Sequence, residues 1–478
     1  MPVIEQSANT SRLDIKRIFD KQQHNLSHLA AITPAERIAK LKRLRAAVIA
    51  HRQDFRDTLF ADYRKPAPEV DLIETYVILT EINHAIKNLG SWTRKHKVNT
   101  PVALLGTSSY IQYEPKGLTL VIAPWNVPIQ LSVCPLVSSV AAGNAVMIKP
   151  SEFTPHTSSL IRNMLAEVFA ENEVAVIEGN EEVSAYLLSL KFNHIFFTGS
   201  PSVGKAVMKA ASEHLASVTL ELGGKSPVIV DDTANIERAS RRIAAAKLCN
   251  CGQLCLAPDY VFVHQSRKAD FLTAYTKQVE TMYGKSDDAL LSGDYTRIVN
   301  SKHLLRLKNY LEDAVQKGAN IESGGTIIES ERFVSPTVLT NVTEDMLVAR
   351  EELFGPILLV YTYDHLAEVI QHIASRDKPL ALYIFSTSKH NINLILDKTS
   401  AGGVTVNDVA IHFYNHNLPF GGVNHSGIGK GHGEWAFREF SNAKGVLTQW
   451  SPIPISGMMY PPFTRASKKL IDFALKWF

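Results

Sequence analysis

Three thiols fall within seven residues, Cys249-Asn-Cys251-Gly-Gln-Leu-Cys255. Zinc asks for paired ligands at short spacing, and C-x-C-x3-C has no second pair, so no metal site is expected. Burial as structural thiols is the ordinary alternative. The remaining reading is nucleophilic. A thiol of pKa ~8.5 is only a few per cent thiolate at neutral pH, so it needs a base, a cation or a helix start nearby. Gly252-Gln253 ahead of Cys255 permits a tight backbone approach. A base candidate stands 34 residues upstream, in Glu221-Leu-Gly-Gly-Lys225. Two glycines after a carboxylate suit a place where another backbone or a cofactor comes close, although a solvated Glu is the commoner state. Asn126, between Trp125 and Pro128 in a charge-free stretch, is a buried amide. It either satisfies the core or donates to an oxyanion, and one such donor is worth ~10²–10³ in rate. Cys251 reads as an inert buried thiol, with a reversible bridge to Cys255 as the alternative.

His194-Ile-Phe-Phe-Thr-Gly199-Ser-Pro-Ser-Val-Gly204-Lys205-Ala206 reads as strand, glycine turn and helix. A helix start after such a turn offers free N–H groups and a positive dipole end to phosphate. The spelling G-x-x-x-x-G-K approaches a P-loop, but Ala206 lacks the hydroxyl that would hold magnesium. No G-x-G-x-x-G occurs, so the ordinary dinucleotide fingerprint is absent. A nucleotide can still set its phosphates at this helix start; a junction without ligand is the bland alternative.

The chain that must position these groups has 478 residues, enough for two or three domains and a core that needs no disulfide staples. Its net charge of +3 is too small for a general polyanion binder, which argues against nucleic acid as partner. Four Cys, three of them clustered, fit a reducing compartment, hence a cytoplasmic setting. The N-terminus has no apolar secretory segment. Gly117–Ile148 carries no charge, but Pro124, Pro128 and Pro135 interrupt it, so it reads as buried strand, loop and buried helix rather than a membrane span. The C-terminal SKKLIDFALKWF puts Leu470, Phe473, Ala474 and Trp477 on one face. This face is expected to pack on the protein, an interfacial membrane helix being the alternative. Residues 12–60 and 69–97 read as helical, and Thr107–Glu114 as an exposed hairpin. Strands at 119–123, 145–149, 174–177, 194–197 and 228–230 alternate with helices at 156–169 and 203–214. A second set at 260–264, 358–363, 382–385 and 403–407 goes with helices at 268–282 and 302–317. Alternation implies parallel sheets in two α/β lobes.

Seven fragments occur in order: Pro124-Trp-Asn-Val-Pro128, Lys149-Pro-Ser-Glu152, Phe197-Thr-Gly-Ser200, Glu221-Leu-Gly-Gly-Lys225, Gly252-Gln-Leu-Cys255, Glu352-Leu-Phe-Gly-Pro356 and Pro419-Phe-Gly-Gly422. Together they resemble the NAD(P)-dependent aldehyde dehydrogenase superfamily over about residues 15–463. Ala257-Pro-Asp-Tyr260 and the run 432–441 are similar to its class 3 branch, and within it to bacterial coniferyl aldehyde dehydrogenases. The resemblance implies an α/β fold of two doubly wound lobes, nucleotide-binding and catalytic, plus a small β oligomerisation extension. It implies an NAD(P)-binding domain over 1–222 with an oligomerisation hairpin near 101–115. A catalytic domain follows over 223–420, and 421–478 returns to the cofactor domain with an oligomerisation strand and a C-terminal helix.

By the same resemblance Cys255 is the nucleophile, Asn126 the oxyanion donor with the Cys255 N–H, and Glu221 the general base for thioester hydrolysis. Lys149 and Glu152 hold the adenosine ribose. Gly199, Ser200 and Gly204 meet the pyrophosphate, Glu352 the nicotinamide ribose and Phe354 the nicotinamide, with Trp125 and Leu222 beside them. A carboxylate at Glu152 bonds a 2′-OH and repels a 2′-phosphate, favouring NAD while NADP stays possible. The expected substrate is a hydrophobic, aromatic (coniferyl-type) aldehyde, and the expected assembly a homodimer. Val127 and Leu254 depart from the branch pattern at the substrate mouth, which leaves a medium- or long-chain aliphatic aldehyde as the alternative. A CoA-acylating relative and a catalytically silent binding or structural relative are the other readings; the retained Glu221, Cys255 and Asn126 argue against both.

Overall fold

The computed structural model describes residues 9–285, 287–452 and 460–477, without the side chains of Ala103 and Trp477. Uncharged, β-branched runs become strands buried on both faces, as parallel sheets require. The first sheet has the order Gly427–Ile428, Ser217–Leu222, His194–Gly199, Leu118–Ile122, Ala145–Lys149, Val174–Val176. All its neighbours are parallel except the short first strand. Alternation divides its residues between two cores: Val121, Val146 and Ile148 face one helical layer, and Leu118, Leu120 and Met147 face the other. The second sheet runs Asn320–Ser323, Thr337–Thr340, Ile357–Tyr363, Tyr260–His264, Pro227–Val230, Ala381–Phe385, Gly403–Val406, with only its first strand antiparallel. It carries its own core. The two lobes are therefore doubly wound α/β layers, as the sequence implied.

A third sheet sets Thr107–Pro115 between His96–Val98 and Ser441–Gln449. This corrects two sequence expectations. Thr107–Glu114 is one continuous strand and not a hairpin, because its nine-residue partner lies more than 300 residues downstream. The helix expected to reach Lys97 ends at Trp92, and His96–Val98 is a strand. A further strand, Ser217–Leu222, was not anticipated. Among the described residues no helix is long and apolar enough to cross a membrane. The helix Arg465–Trp477 half-buries Leu470 and Ala474, but Phe473 is 58% exposed, so the expected packing face is only partly covered. The side chain of Trp477 lies outside the described residues.

Candidate active site

In the first sheet Leu118–Ile122 has Ala145–Lys149 on one side and His194–Gly199 on the other. Connections thus leave that strand in opposite directions, and the crevice beyond its carboxyl end is where open α/β sheets take ligands. A cavity of about 870 Å³ opens there. Pro124–Asn126, Thr198–Ser202 and Glu221–Gly224 form one wall, at the carboxyl ends of the first sheet's strands. Cys255, Glu352–Phe354 and Lys378–Pro379 belong to the other wall, where the second sheet's strands begin; of the residues 352–354, Glu352 and Phe354 line the cavity directly.

Cys255 reaches this cavity through a strained turn. Asn250 and Cys251 both take φ 54°, and Gly252 takes φ 72°. A Cβ on Gly252 would stand 2.2 Å from the Gly355 carbonyl oxygen, so only glycine fits. The backbone N–H groups of Cys255 and Leu256 favour the thiolate, but burial pushes the thiol up to about 12, with Glu352 and Glu221 adding to the effect. All four cysteines are free. Cys251 is buried in the core against Tyr295, whereas Cys255 is half-buried and lines the cavity.

Asn126 is 3% exposed. Its main-chain carbonyl accepts from Tyr63 Oη at 2.7 Å, Asn250 Nδ2 at 2.9 Å and Lys65 Nζ at 3.3 Å, and its own Nδ2 donates to the Gln253 carbonyl at 2.9 Å. Lys65 is paired at 2.8 Å with Glu74, both fully buried. The second Glu74 oxygen accepts from the Gln130 N–H in the first turn of the helix Pro128–Ala142. Sequence reading passed over Lys65 and Glu74, since nothing local ties them to Asn126.

Glu221 is buried; among the described residues neither carboxylate oxygen has a hydrogen bond of full geometry, although the Gly431 N–H favours its charged form. Gly421 and Gly431 flank it: a Cβ on either would come 3.1 Å from Oε1. Burial pushes this carboxyl up to about 8; Lys430 opposes the rise and Glu439 adds to it. Lys430 Nζ is held by the carbonyls of Gly421 and Gly422. Glu352 is likewise pushed up to about 8, by burial and then by Asp259. Its loop is pinned by Arg306, which donates to the carbonyls of Leu353 at 2.8 Å and Phe354 at 3.2 Å, and by the Leu353 N–H to Asp259. Arg306 is aimed there by the helix Ser301–Gln316, capped by Asn300. Phe354, at φ 43°, meets Trp125 edge-on at 5.3 Å.

The helix Pro201–Ser212 starts with Ser200 as cap and Pro201 in its first turn, leaving free N–H groups toward the cavity. Of the residues singled out from sequence, Trp125, Asn126, Gly199, Ser200, Glu221, Leu222, Cys255, Glu352 and Phe354 line the cavity. Gly204, Lys149 and Glu152 stand off its wall. Gly204 is where the helix meets Leu222, since a Cβ there would be 2.7 Å from Leu222 Cδ2. Lys149 Nζ bonds Glu152 Oε2 at 2.7 Å and the Pro150 carbonyl at 3.0 Å. Lys205 also faces the cavity; it was present in the G-x-x-x-x-G-K string and was set aside with the P-loop. A helix start with a lysine, an unpaired carboxylate and an aromatic pair along one crevice fit a dinucleotide. Gly223 makes room for the Glu352 carboxylate, because a Cβ there would stand 2.0 Å from Glu352 Oε2.

The profile of the "Aldehyde dehydrogenase family" matches residues 2–446. The 4,4'-diaponeurosporen-aldehyde dehydrogenase of Staphylococcus aureus is 44% identical over 434 residues, 91% of this chain and 93% of its own. The "Probable coniferyl aldehyde dehydrogenase" of Pseudomonas aeruginosa is 39% identical over 461 residues, 96% and 95% of the two chains. The solved structure "Substrate bound state of Staphylococcus Aureus AldH" superposes with a TM-score of 0.91 at 42% identity, covering 96% of this chain and 99% of that one. With a thiol, an amide and a buried carboxylate converging on a dinucleotide-shaped crevice, the chain belongs to the aldehyde dehydrogenase family and is an enzyme that oxidises aldehydes with NAD(P)+.

Proposed function

We propose that the protein oxidises a hydrophobic, aromatic aldehyde to its carboxylic acid with NAD, through a thioester on Cys255. The observation that carries this is the convergence of Cys255, Asn126 and Glu221, from three distant segments, on one cavity. Cys255 Sγ adds to the carbonyl carbon. Its proton needs an acceptor, and Glu221 and Glu352 are the carboxylates that face it. The oxyanion takes hydrogen bonds from Asn126 Nδ2 and the Cys255 N–H, donors already fixed before the reaction. Bound NAD would supply the hydride acceptor for the passage from thiohemiacetal to thioester. Glu221 then removes a proton from water, which attacks the thioester and frees Cys255.

For the cofactor, Ser200 and the helix start would receive the pyrophosphate, Glu352 the nicotinamide ribose, and Trp125, Leu222 and Phe354 its ring. Lys149 and Glu152 would take the adenosine ribose, with Gly204 letting the helix sit close. The Glu152 carboxylate favours a 2′-OH over a 2′-phosphate. The domain division given above goes with these roles. Four free thiols support a cytoplasmic setting, and the exposed edge strand Ser441–Gln449 supports a homodimer built on the three-stranded sheet.

The test is cofactor reduction by purified enzyme, offering NAD and NADP separately against coniferyl, benzyl and medium-chain aliphatic aldehydes. NAD with coniferyl aldehyde should be fastest, and Cys255→Ala should abolish it. Folded protein that binds NAD but reduces none with any aldehyde would instead be the silent relative.

A further inference from the structure

The helix Tyr76–Trp92 and the segment 416–432 bring three metal-type donors together, none of which lines the 870 Å³ cavity. Glu81 Oε2 is 3.1 Å from His416 Nε2 and 3.3 Å from His432 Nδ1, and the three donor atoms lie within 4.8 Å of one another. Tetrahedral zinc with bonds of ~2.0–2.1 Å sets its ligand atoms ~3.3 Å apart. Two edges are already close to that length, and the third is no longer than 4.8 Å. Neighbouring groups hold the three side chains in place. The Gly433 N–H holds Glu81 Oε1 at 2.8 Å, leaving Oε2 as the single donor oxygen. His84, one turn along from Glu81, stacks on the His416 ring at 5.1 Å and 20°. Phe413 and Phe420 fix the His432 ring edge-on at 4.5 and 5.2 Å. His432 holds φ 65° while buried, a conformation costing ~1–3 kcal/mol for a non-glycine. Glu81 is 1% exposed and His416 13%, so an ion enters past His416.

We propose that Glu81, His416 and His432 form a binding site for a divalent cation of the zinc class, with water in the fourth position. The ion replaces the protons that would otherwise lie between the two imidazoles and the carboxylate. Each neutral ring keeps its remaining proton on its other nitrogen, and any imidazolium proton passes to solvent. None of the three ligands lines the aldehyde cavity, although Gly431, next to His432, flanks Glu221.

Cobalt(II) is the probe, because tetrahedral nitrogen–oxygen coordination gives it a strong visible absorption. Full-length Cys255→Ala protein is titrated, since the cavity thiol would itself take the metal. One equivalent should produce the band, and zinc should bleach it. His416→Gln changes a partly exposed side chain, so the fold survives. It should lose the band and weaken binding by more than the ~10–100-fold cost of losing an outer-shell partner; Glu81→Gln should do the same. His390→Gln, at an exposed helix position, should change neither. Absence of any band in the Cys255→Ala protein, or a band of undiminished strength in His416→Gln, would show a purely hydrogen-bonded cluster and overturn the proposal.

Discussion

Between pH 7 and pH 9 the hydrolysis of the acyl-enzyme should accelerate about tenfold. The magnitude follows from Glu221, whose carboxyl is raised from 4.5 to about 8 by burial. At pH 7 only about a tenth of the molecules carry the ionised base, and at pH 9 about nine-tenths do. The sign for stability runs the other way. A carboxyl raised in the folded state contributes fully below its unfolded value and loses that contribution as pH rises through about 8. Glu221→Gln, permanently neutral, should therefore gain roughly 3 kcal/mol on the wild type between pH 6 and pH 9. Its deacylation should fall by ~10²–10⁴ and lose the pH limb. The assay is single-turnover acyl-enzyme decay across pH, with denaturant unfolding at the same pH values. Lys430→Met, which removes the opposing cation, should move the midpoint upward. A limb that persists in Glu221→Gln, or a wild-type midpoint near 4.5, would refute the reasoning.

Lys65→Met leaves Glu74 buried without its partner and should cost ~3–5 kcal/mol in denaturant unfolding, whereas Lys65→Met with Glu74→Gln should recover most of it; equal loss in both proteins would count against the pair. Gly252→Ala forces a side chain onto the Gly355 carbonyl at a left-handed position, and should destabilise by at least ~1–3 kcal/mol while the Cys255 labelling rate changes; an unaltered unfolding midpoint would contradict it. Gly223→Ala pushes only the end of the Glu352 side chain, so NAD affinity measured by calorimetry should drop while the unfolding midpoint stays near wild type.

Tyr260–His264 and Ala145–Lys149 were legible to the residue because buried parallel strands spell themselves as short, mainly apolar runs. Ser217–Leu222 escaped because a Ser, a Thr and a Glu interrupt its apolar pattern, and the Glu is the proposed base. Thr107–Pro115 was legible as extended chain, but its pairing was not, since Ser441–Gln449 lies far downstream and no local turn announces it. The same limit applies to the site. Cys255, Glu221 and Asn126 stood out by type and neighbours. Lys65, Lys430 and Arg306 did not, because each acts through main-chain carbonyls, of distant loops for Lys65 and Arg306, and carbonyls leave no trace in sequence.

The site joins the finishing ends of one sheet to the starting ends of another, and the strand Gly427–Ile428 closes it by pairing with Glu221 and Leu220. The proposed reacting groups lie between Asn126 and Cys255, but the strand that pairs with Glu221 lies at 427–428, so turnover is a readout of long-range closure. A chain that has not yet placed residues 427–428 can complete the seven-stranded sheet, with Tyr260–His264 between its two parallel neighbours, and still hold Cys255 against an unfinished wall. Catalytic activity should therefore recover with the slowest, least local step of refolding.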